Sequence, residues 1–391
     1  MFSRLRAVRK RPIRFIALFF AVFLAACDPS VLGGGGPTVN IGKPIPVALL
    51  VPGGSQNPGD AVLASSLENA ARLAMADLSG VNIDLRVYNT AGQAEGAATA
   101  ARSAVNEGAK IILGPVFAQS ANAAGRAVAN RNVNILSFSN NVSIAGGNVF
   151  VLGPTFRNTA ERLVAYAVRQ SVGNIMIVNA RDSAEVIGRD AINRAIITQG
   201  ATLAGVTTFE LSQEGVIAAI PQITSDARSR AAQAIFLTSG TSGALPFLAQ
   251  LLPENGLTQE TTQFIGLQRW DIPATALTLT GLQGGWFALP DPALSSAFQN
   301  RYQAAYGTQP HPIAGLAYDG IAAIGALVSN GQSDALTRGA LTQSAGFVGV
   351  NGVFRLLADG TNERALAVAT IQKGQVTIID PAPRNFGGRG F

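Results

Sequence analysis

The fold is decided by the stretch KIILGPVFAQSANAAGRAVANRNVNILSFSNN, residues 110–141. Its pattern predicts, in order, a strand at 110–113, a turn at 114–117, a helix at 119–130, a strand at 133–136 and a polar loop at 137–141. Ligands bind at the carboxyl ends of parallel strands, and the first N–H groups of a helix have no partner inside it. We therefore expect the two loops to form one edge of a polar crevice. Its candidate hydrogen-bonding side chains are Ser120, Ser137, Ser139 and Asn140.

Outside this stretch the chain continues to alternate strands and helices. From Ile45 onward, short apolar runs are separated by segments of helical periodicity, which indicates βαβ units and parallel sheets. The helix after the first strand is predicted to begin with Asp60 as its N-cap. The end of the chain differs, because strands at 353–356, 365–371 and 376–379 are separated by Asp-Gly and Lys-Gly turns. That pattern predicts an antiparallel meander.

Two α/β series joined by more than one crossing predict two Rossmann-like lobes, each with a parallel sheet, and a cleft between them. Lobes of this kind close like a hinge on a ligand. We assign residues 44–153 and about 291–345 to the N-terminal lobe, and 154–290 and about 346–380 to the C-terminal lobe. The last residues, 381–391, are predicted to be a disordered tail.

Composition narrows the classes of partner. The chain has 391 residues, with 29 basic and 23 acidic side chains and 48% apolar residues, as in a compact globular protein. Six of the basic residues and no acidic residue precede Cys27, so the remaining 23 basic residues balance the 23 acidic ones. A chain without residues 1–26 is formally neutral and has no electrostatic reason to bind nucleic acid.

The amino terminus indicates export. A basic start and the apolar run from Phe15 to Ala26, too short to span a bilayer, predict a signal peptide over residues 1–26. The sequence Leu24-Ala-Ala-Cys27 resembles the lipobox of bacterial lipoproteins, which implies that Cys27 is diacylated and anchors the protein to a membrane. Residues 27–43 then form a flexible tether. Asp28, directly after the lipidated cysteine, favours retention at the inner membrane. The alternative to lipidation is that Cys27 is an incidental cysteine after an ordinary signal peptide.

Four local matches carry a family resemblance: IPVALLVP at 45–52, AARLAMAD at 70–77, ILGP at 112–115 and ILS at 135–137. Together with the order of elements, they resemble the type I periplasmic binding proteins, in particular the leucine/isoleucine/valine-binding family. The resemblance implies a lipid-anchored solute-binding protein on the periplasmic face of a bacterial membrane. Such a protein closes its lobes on a small polar ligand, an amino acid or a related compound, and delivers it to an ABC permease without a cofactor.

The resemblance also implies where the ligand binds. In that family the loops after the third and fourth strands hold the α-carboxylate and the α-ammonium group, and other cleft loops complete the site. The matched candidates are Ser55, Gln56, Phe117, Gln119, Ser120, Ser137, Ser139 and Asn140 in the first lobe and Arg181, Asp182, Gln268 and Arg269 in the second. The plain alternatives are that the serines cap helices or turns and that the charged residues are solvated.

Two positions depart from the family pattern. Where the family has Tyr before Gly in a second-lobe loop, this chain has Ile187-Gly188, and Gln268 replaces the acidic residue that pairs with the ammonium group. A neutral amide loses the charge-assisted part of that contact, about 1–2 kcal/mol. A plain aliphatic amino acid is therefore in doubt as the ligand, and Trp270 beside Arg269 is a further candidate for a larger one.

The sequence leaves a second functional class open and disfavours a third. The segment 347–364 is similar to the end of penicillin-binding protein activators, lipoproteins that regulate peptidoglycan synthases on the same fold, which leaves a second functional class open. An enzyme is not expected, because His311 is the only histidine and neither a P-loop nor a dinucleotide fingerprint occurs.

Overall fold

The computed structural model describes residues 36–386. The predicted signal peptide, Cys27, Asp28 and most of the predicted tether lie outside the described residues. The described end of the tether differs from the prediction, because it packs on the protein. Val39 is buried, and its N–H donates to the Ser333 carbonyl at 2.8 Å.

The first sheet of the described chain has parallel strands in the order β2-β1-β3-β4-β5. These strands are β1 (Ile45–Val51), β2 (Ile83–Asn89), β3 (Ile111–Leu113), β4 (Asn134–Ser137) and β5 (Val149–Val151). Val47 and Leu49 of β1 face one buried cluster, whereas Ala48 and Leu50 face another. A strand buried on both faces reads as a continuous apolar run, which makes β1 recognisable in the sequence.

The second sheet has the order β15-β14-β10-β9-β8-β6-β7. Its strands are β6 (Asn174–Ala180), β7 (Thr202–Phe209), β8 (Ala234–Leu237), β9 (Gln263–Gly266), β10 (Trp286–Leu289), β14 (Ala367–Gln372) and β15 (Gln375–Asp380). The strands from β6 to β10 are parallel, and β14 and β15 add an antiparallel pair at one edge. The predicted α/β fold of two lobes with parallel sheets is confirmed.

Helices cover both faces of each sheet. Those within residues 36–386 are α1 (Pro58–Ala76), α2 (Ala94–Asn106), α3 (Ala118–Val128), α4 (Phe156–Arg169), α5 (Ser183–Thr198), α6 (Gln213–Ser229), α7 (Leu245–Glu254), α8 (Pro292–Tyr306), α9 (Gly315–Ser329) and α10 (Arg338–Leu341). Helices α1, α8 and α9 pack on one face of the first sheet, and α2 and α3 on the other. Helices α6 and α7 cover one face of the second sheet, and α4 and α5 the other.

The predicted C-terminal meander is correct for its last hairpin, because β14 and β15 pair antiparallel, and wrong for its first strand. Strands β11 (Phe347–Gly349), β12 (Gly352–Leu356) and β13 (Asn362–Arg364) form a separate antiparallel sheet, and β14 and β15 belong to the second lobe. The physical reason is a break in pairing at 365–366, where the chain crosses between lobes. Phe347, Phe354 and Leu356 are buried in the first lobe's core, although the sequence assigned this segment to the second.

Two smaller predictions also differ from the structure. Asn57, not Asp60, caps α1: its side-chain oxygen accepts a hydrogen bond from the Gly59 N–H at 3.1 Å. The tail is packed up to Phe386, since Ala382 is buried and the Phe386 ring lies 4.5 Å from the Arg355 guanidinium carbon. The residues after Phe386 lie outside the described part of the chain.

Candidate functional site

Within residues 36–386, three crossings join the two lobes. The crossing at 153–155 leads from β5 to α4, the one at 290–291 from β10 to α8, and the one at 365–366 from β13 to β14. The first two leave their sheets at the carboxyl ends of parallel strands. The carboxyl edges of both sheets therefore lie beside the hinge, and the cleft opens between them.

A buried ion pair holds the hinge together. Arg364 donates to the Leu152 carbonyl at 2.6 and 3.0 Å and to the Asp319 carboxylate at 3.0 Å. The side chains of Arg364 and Asp319 are 2% and 0% exposed. Asp319 also accepts a hydrogen bond from the Val350 N–H at 2.8 Å. The strand ends at the first and third crossings are thus fixed to each other and to α9.

The serines after β4 hold the first-lobe edge together. The fully buried Ser137 hydroxyl donates to the Pro115 carbonyl at 3.0 Å and accepts from the Ser139 N–H at 3.2 Å. The Ser139 hydroxyl accepts from the Asn141 N–H at 3.1 Å. These bonds tie the loops after β3 and β4 into one unit, so the predicted adjacency of the two loops is present in the structure.

Ser120 has a similar internal role. It is 1% exposed, and its hydroxyl donates to the Gly92 carbonyl at 3.4 Å, which links α3 to the loop after β2. Ser120 and Ser137 therefore do not present free hydroxyls to the cleft in this structure. Both hydroxyls stabilise the loops in which they lie, and their contact with a ligand stays a prediction.

Other predicted residues on this edge are accessible. Phe117 is 38% exposed, Gln56, Gln119 and Asn140 are exposed, and Ser55 is half-buried. The side chains of Gln119 and Asn140 form no hydrogen bond with any residue in 36–386. Phe117 is the N-cap of α3 and provides no side-chain acceptor, so the first N–H groups of that helix remain available to a ligand.

On the second-lobe edge, a buried carboxylate that the sequence reasoning missed organises the loops. Glu185 is 8% exposed and accepts three hydrogen bonds, from the Ala180 N–H at 2.5 Å and from the Thr238 and Ser239 hydroxyls at 2.7 Å each. Asp182, a predicted site residue, caps α5 through the N–H groups of residues 184 and 185. The spacing Asp182-x-x-Glu185 at a helix start is the signal that was available in the sequence.

The remaining second-lobe candidates already have partners. The Gln268 amide donates to the Thr238 carbonyl at 3.0 Å. Arg269 pairs with Asp271, with 2.8 Å between Nε and Oδ1, and Arg181 pairs with Glu210 at 2.6 Å in an exposed position. The suggestion that Trp270 contacts a ligand is wrong, because its side chain is fully buried in the core.

A pocket of about 530 Å³ lies outside the cleft, between α1, α8 and α9. Asp77 in this pocket pairs with Arg301 at 2.6 Å and accepts a hydrogen bond from Tyr318. Burial raises the pKa of Asp77, but these hydrogen bonds outweigh burial and hold its pKa below the ordinary value. The pocket lies at the C-terminal end of α1 and thus at the opposite edge of the sheet from the cleft.

No cluster of His, Cys, Asp or Glu within residues 36–386 is arranged to hold a metal ion. No helix in the same range has the length and apolar character that crossing a bilayer requires.

Comparison with known proteins agrees with this geometry. The family model described as periplasmic binding protein matches residues 44–375. No curated protein sequence matches the chain. A putative branched-chain amino acid ABC transporter structure from Rhodospirillum rubrum is 18% identical, with a TM-score of 0.74, over 86% of this chain and 100% of that one.

Two further solved structures were determined with ligands. An ABC transporter substrate-binding protein from Desulfitobacterium hafniense in complex with Leu is 16% identical, with a TM-score of 0.63, over 86% of this chain and 100% of that chain. A solute-binding protein from Rhodopseudomonas palustris with 3,4-dihydroxybenzoic acid is 15% identical, with a TM-score of 0.57, over 88% and 97%. At these identities the likeness shows the fold. With the family match over residues 44–375, the chain belongs to the periplasmic binding protein family.

Proposed function

We propose that this protein is the solute-binding component of an ABC-type importer and that its lobes close on a small polar ligand. The observation that supports the proposal is that the carboxyl edges of both sheets meet at the hinge. Internal hydrogen bonds fix the shape of each edge: the Ser137 hydroxyl donates one in the first lobe, and the Glu185 carboxylate accepts others in the second. Preformed edges of this kind are suited to hinge closure around a solute.

An amino acid or a related compound is the ligand class that we favour. The uncapped start of α3, together with Gln119 and Asn140, offers N–H donors to a carboxylate, because fixed backbone dipoles replace the water that the anion loses. Leu is bound by the structural neighbour from D. hafniense, whereas the neighbour from R. palustris binds 3,4-dihydroxybenzoic acid. Both of those ligands carry a carboxylate, which agrees with the donors of this edge.

The family implies a periplasmic location. The lipid anchor at Cys27, its inner-membrane preference through Asp28 and the delivery of ligand to a permease are parts of the same proposal, and they rest on the sequence alone. The protein is proposed to bind and not to catalyse, since its family consists of binding proteins. The contrasting function is regulation of a peptidoglycan synthase, and the following experiment distinguishes it from solute import.

The test is thermal unfolding of the full-length protein with each proteinogenic amino acid. A ligand whose free concentration is a hundred times its Kd adds about 2.7 kcal/mol to the free energy of unfolding. The double variant Gln119→Ala/Asn140→Ala should weaken binding about fivefold to thirtyfold through the loss of two side-chain hydrogen bonds. Gln332→Ala is the matched control, because Gln332 is exposed at the other edge of the first lobe.

The outcomes separate the two functions. Stabilisation by an amino acid that the double variant reduces and the control retains supports the proposal. Absence of stabilisation by all of them, together with capture of a peptidoglycan synthase, contradicts import and favours cell-wall regulation.

A further inference from the structure

Residues 381–386, which follow β15, form a further connection between the two lobes. They leave the second-lobe sheet after Asp380 and end at Phe386, whose ring packs on Arg355 of the first lobe. Ala382, near the start of this segment, is buried, so the segment lies against the protein. We name residues 381–386 the strap.

The strap begins beside the hinge, in the second lobe. Strand β14 starts directly after the crossing at 365–366, and β15 runs antiparallel to it, so Asp380 at the end of β15 returns to the same place. Arg162 of α4 donates to the Leu366 carbonyl at 2.6 Å and to the Pro381 carbonyl at 3.2 Å. The Arg162 side chain is 4% exposed and pairs with Asp380 at 2.8 Å. One buried side chain therefore joins the crossing to the start of the strap.

The strap ends on the first lobe, beside β11 and β12. The Phe386 ring lies over the guanidinium group of Arg355, a contact in which the cation is attracted to the negative face of the ring. A Cβ atom built on Gly346 would lie 2.6 Å from Phe386 Cε2, so the ring packs directly on the Gly346 backbone. Arg355 is itself fixed within the first lobe, because it pairs with Glu363 of β13 at 2.5 Å. The two ends of the strap are thus attached to different lobes.

The strap is short and stiff. An extended chain advances by about 3.3–3.6 Å per residue, so residues 381–386 span about 20 Å at most. Pro381 and Pro383 fix their φ angles at about −65° and reduce the flexibility of the segment. Rotation of one lobe against the other changes the distance between the two ends. Beyond a small rotation, the strap must therefore be stretched or Phe386 must leave its contacts.

We propose that the strap restrains the hinge. While Phe386 is packed on Gly346 and Arg355, the strap limits the range of positions that the lobes can take, and its release widens that range. The inference goes beyond the proposed solute binding, because it concerns the movement of the chain without ligand. Its test uses no ligand, so its failure is distinguishable from a failure of the proposed function.

The test is the distance between the lobes, measured by pulsed electron paramagnetic resonance on the full-length protein. Spin labels on Gln93→Cys and Ser183→Cys, in a chain with Cys27→Ser, lie at exposed positions on the carboxyl edges of the two lobes. Phe386→Ala removes the ring that attaches the strap to the first lobe. The width of the distance distribution should increase by more than about 2 Å relative to the labelled chain with Phe386.

A second variant separates restraint by the strap from packing of the ring. Insertion of Gly-Gly-Ser-Gly between Arg384 and Asn385, both exposed, retains Phe386 and the contacts of Arg162. The insertion adds up to about 13 Å of flexible chain. The lengthened strap no longer limits the lobes, so this variant should broaden the distance distribution as Phe386→Ala does.

The matched control is Phe247→Ala. Phe247 is 38% exposed on α7, in a groove whose other lining residues all belong to the second lobe. This variant removes the same ring from the surface without changing the strap, and it should leave the distance distribution unchanged. Thermal unfolding measured by circular dichroism verifies that each variant is folded. If Phe386→Ala does not fold, the insertion variant alone decides the test.

The remaining outcomes overturn the inference in distinguishable ways. An unchanged distance distribution in both strap variants shows that the strap does not restrain the lobes. Broadening in Phe386→Ala but not in the insertion variant shows that the ring acts through local packing alone, which contradicts restraint by the strap. Equal broadening in Phe247→Ala and Phe386→Ala shows a general effect of losing an aromatic ring and also contradicts it.

Discussion

Arg364→Met is expected to lower the free energy of unfolding by about 3–5 kcal/mol, the effect of removing one partner from a buried ion pair. Arg364 and Asp319 are almost completely buried, and Met would leave the Asp319 carboxylate without its cationic partner. The Leu152 carbonyl would also lose the donors at 2.6 and 3.0 Å. Urea unfolding measured by circular dichroism gives the difference.

Two further variants separate the buried pair from a general effect of removing an arginine. Arg72 pairs with Glu68 on the surface of α1, where the side chains are 49% and 34% exposed. Arg72→Met should therefore cost only about 0–1 kcal/mol. Asp319→Asn combined with Arg364→Met should recover part of the loss, because no unpaired charge remains buried. Equal losses for Arg364→Met and Arg72→Met would contradict the role of the hinge pair.

Glu185→Ala is the second large expected effect. Alanine removes the acceptor of three buried hydrogen bonds. The Ala180 N–H and the Ser239 hydroxyl lose their acceptor, whereas the Thr238 hydroxyl can still donate to the Val178 carbonyl at 3.2 Å. Each unsatisfied buried group costs about 1–3 kcal/mol, and partial relaxation of the loops leaves a total of about 2–4 kcal/mol. Ligand binding should fall as well, because these bonds join the ends of β6 and β8 at the cleft. Urea unfolding and calorimetric titration measure the two effects.

Glu185→Gln is the matched variant of the same shape. The glutamine oxygen can accept from the Ala180 N–H and the Thr238 hydroxyl, and its amide can donate to the Ser239 oxygen. We expect a loss of only about 1 kcal/mol, since the hydrogen bonds persist without charge assistance. A glutamine variant as unstable as the alanine variant would show that the charge, and not the hydrogen-bond network, holds this edge.

Much of the fold was predictable because its strands are short apolar runs buried on both faces. The stretch 110–141 contains β3, α3 and β4 in the predicted order, and β3 and β4 pair in parallel. The first strand of the predicted C-terminal meander was assigned to the wrong sheet, since an apolar strand does not reveal which sheet it joins. The break between β13 and β14 depends on packing of Phe354 into the first lobe and of Val368 into the second.

The candidate site was less predictable, because the direction of a loop side chain depends on residues far away in the sequence. Ser120 bonds to Gly92, 28 residues earlier, and Glu185 bonds to Ser239, 54 residues later. The sequence predicted that the loops after β3 and β4 are adjacent, as they are in the structure, but it did not show which hydroxyls bond within those loops. Asp60 was predicted to cap α1, whereas Asn57 caps this helix in the structure, because its side-chain oxygen accepts a hydrogen bond from the Gly59 N–H.

Closure of the lobes is measured most directly by the distance between them. Spin labels on Gln93→Cys and Ser183→Cys, in a chain whose only native cysteine is replaced by Cys27→Ser, sit at exposed positions on the two carboxyl edges. With a saturating mixture of the proteinogenic amino acids, pulsed electron paramagnetic resonance should show the main distance shortened by more than about 2 Å, as in hinge closure. A distance distribution that is the same with and without the mixture would contradict a protein that closes on such a ligand.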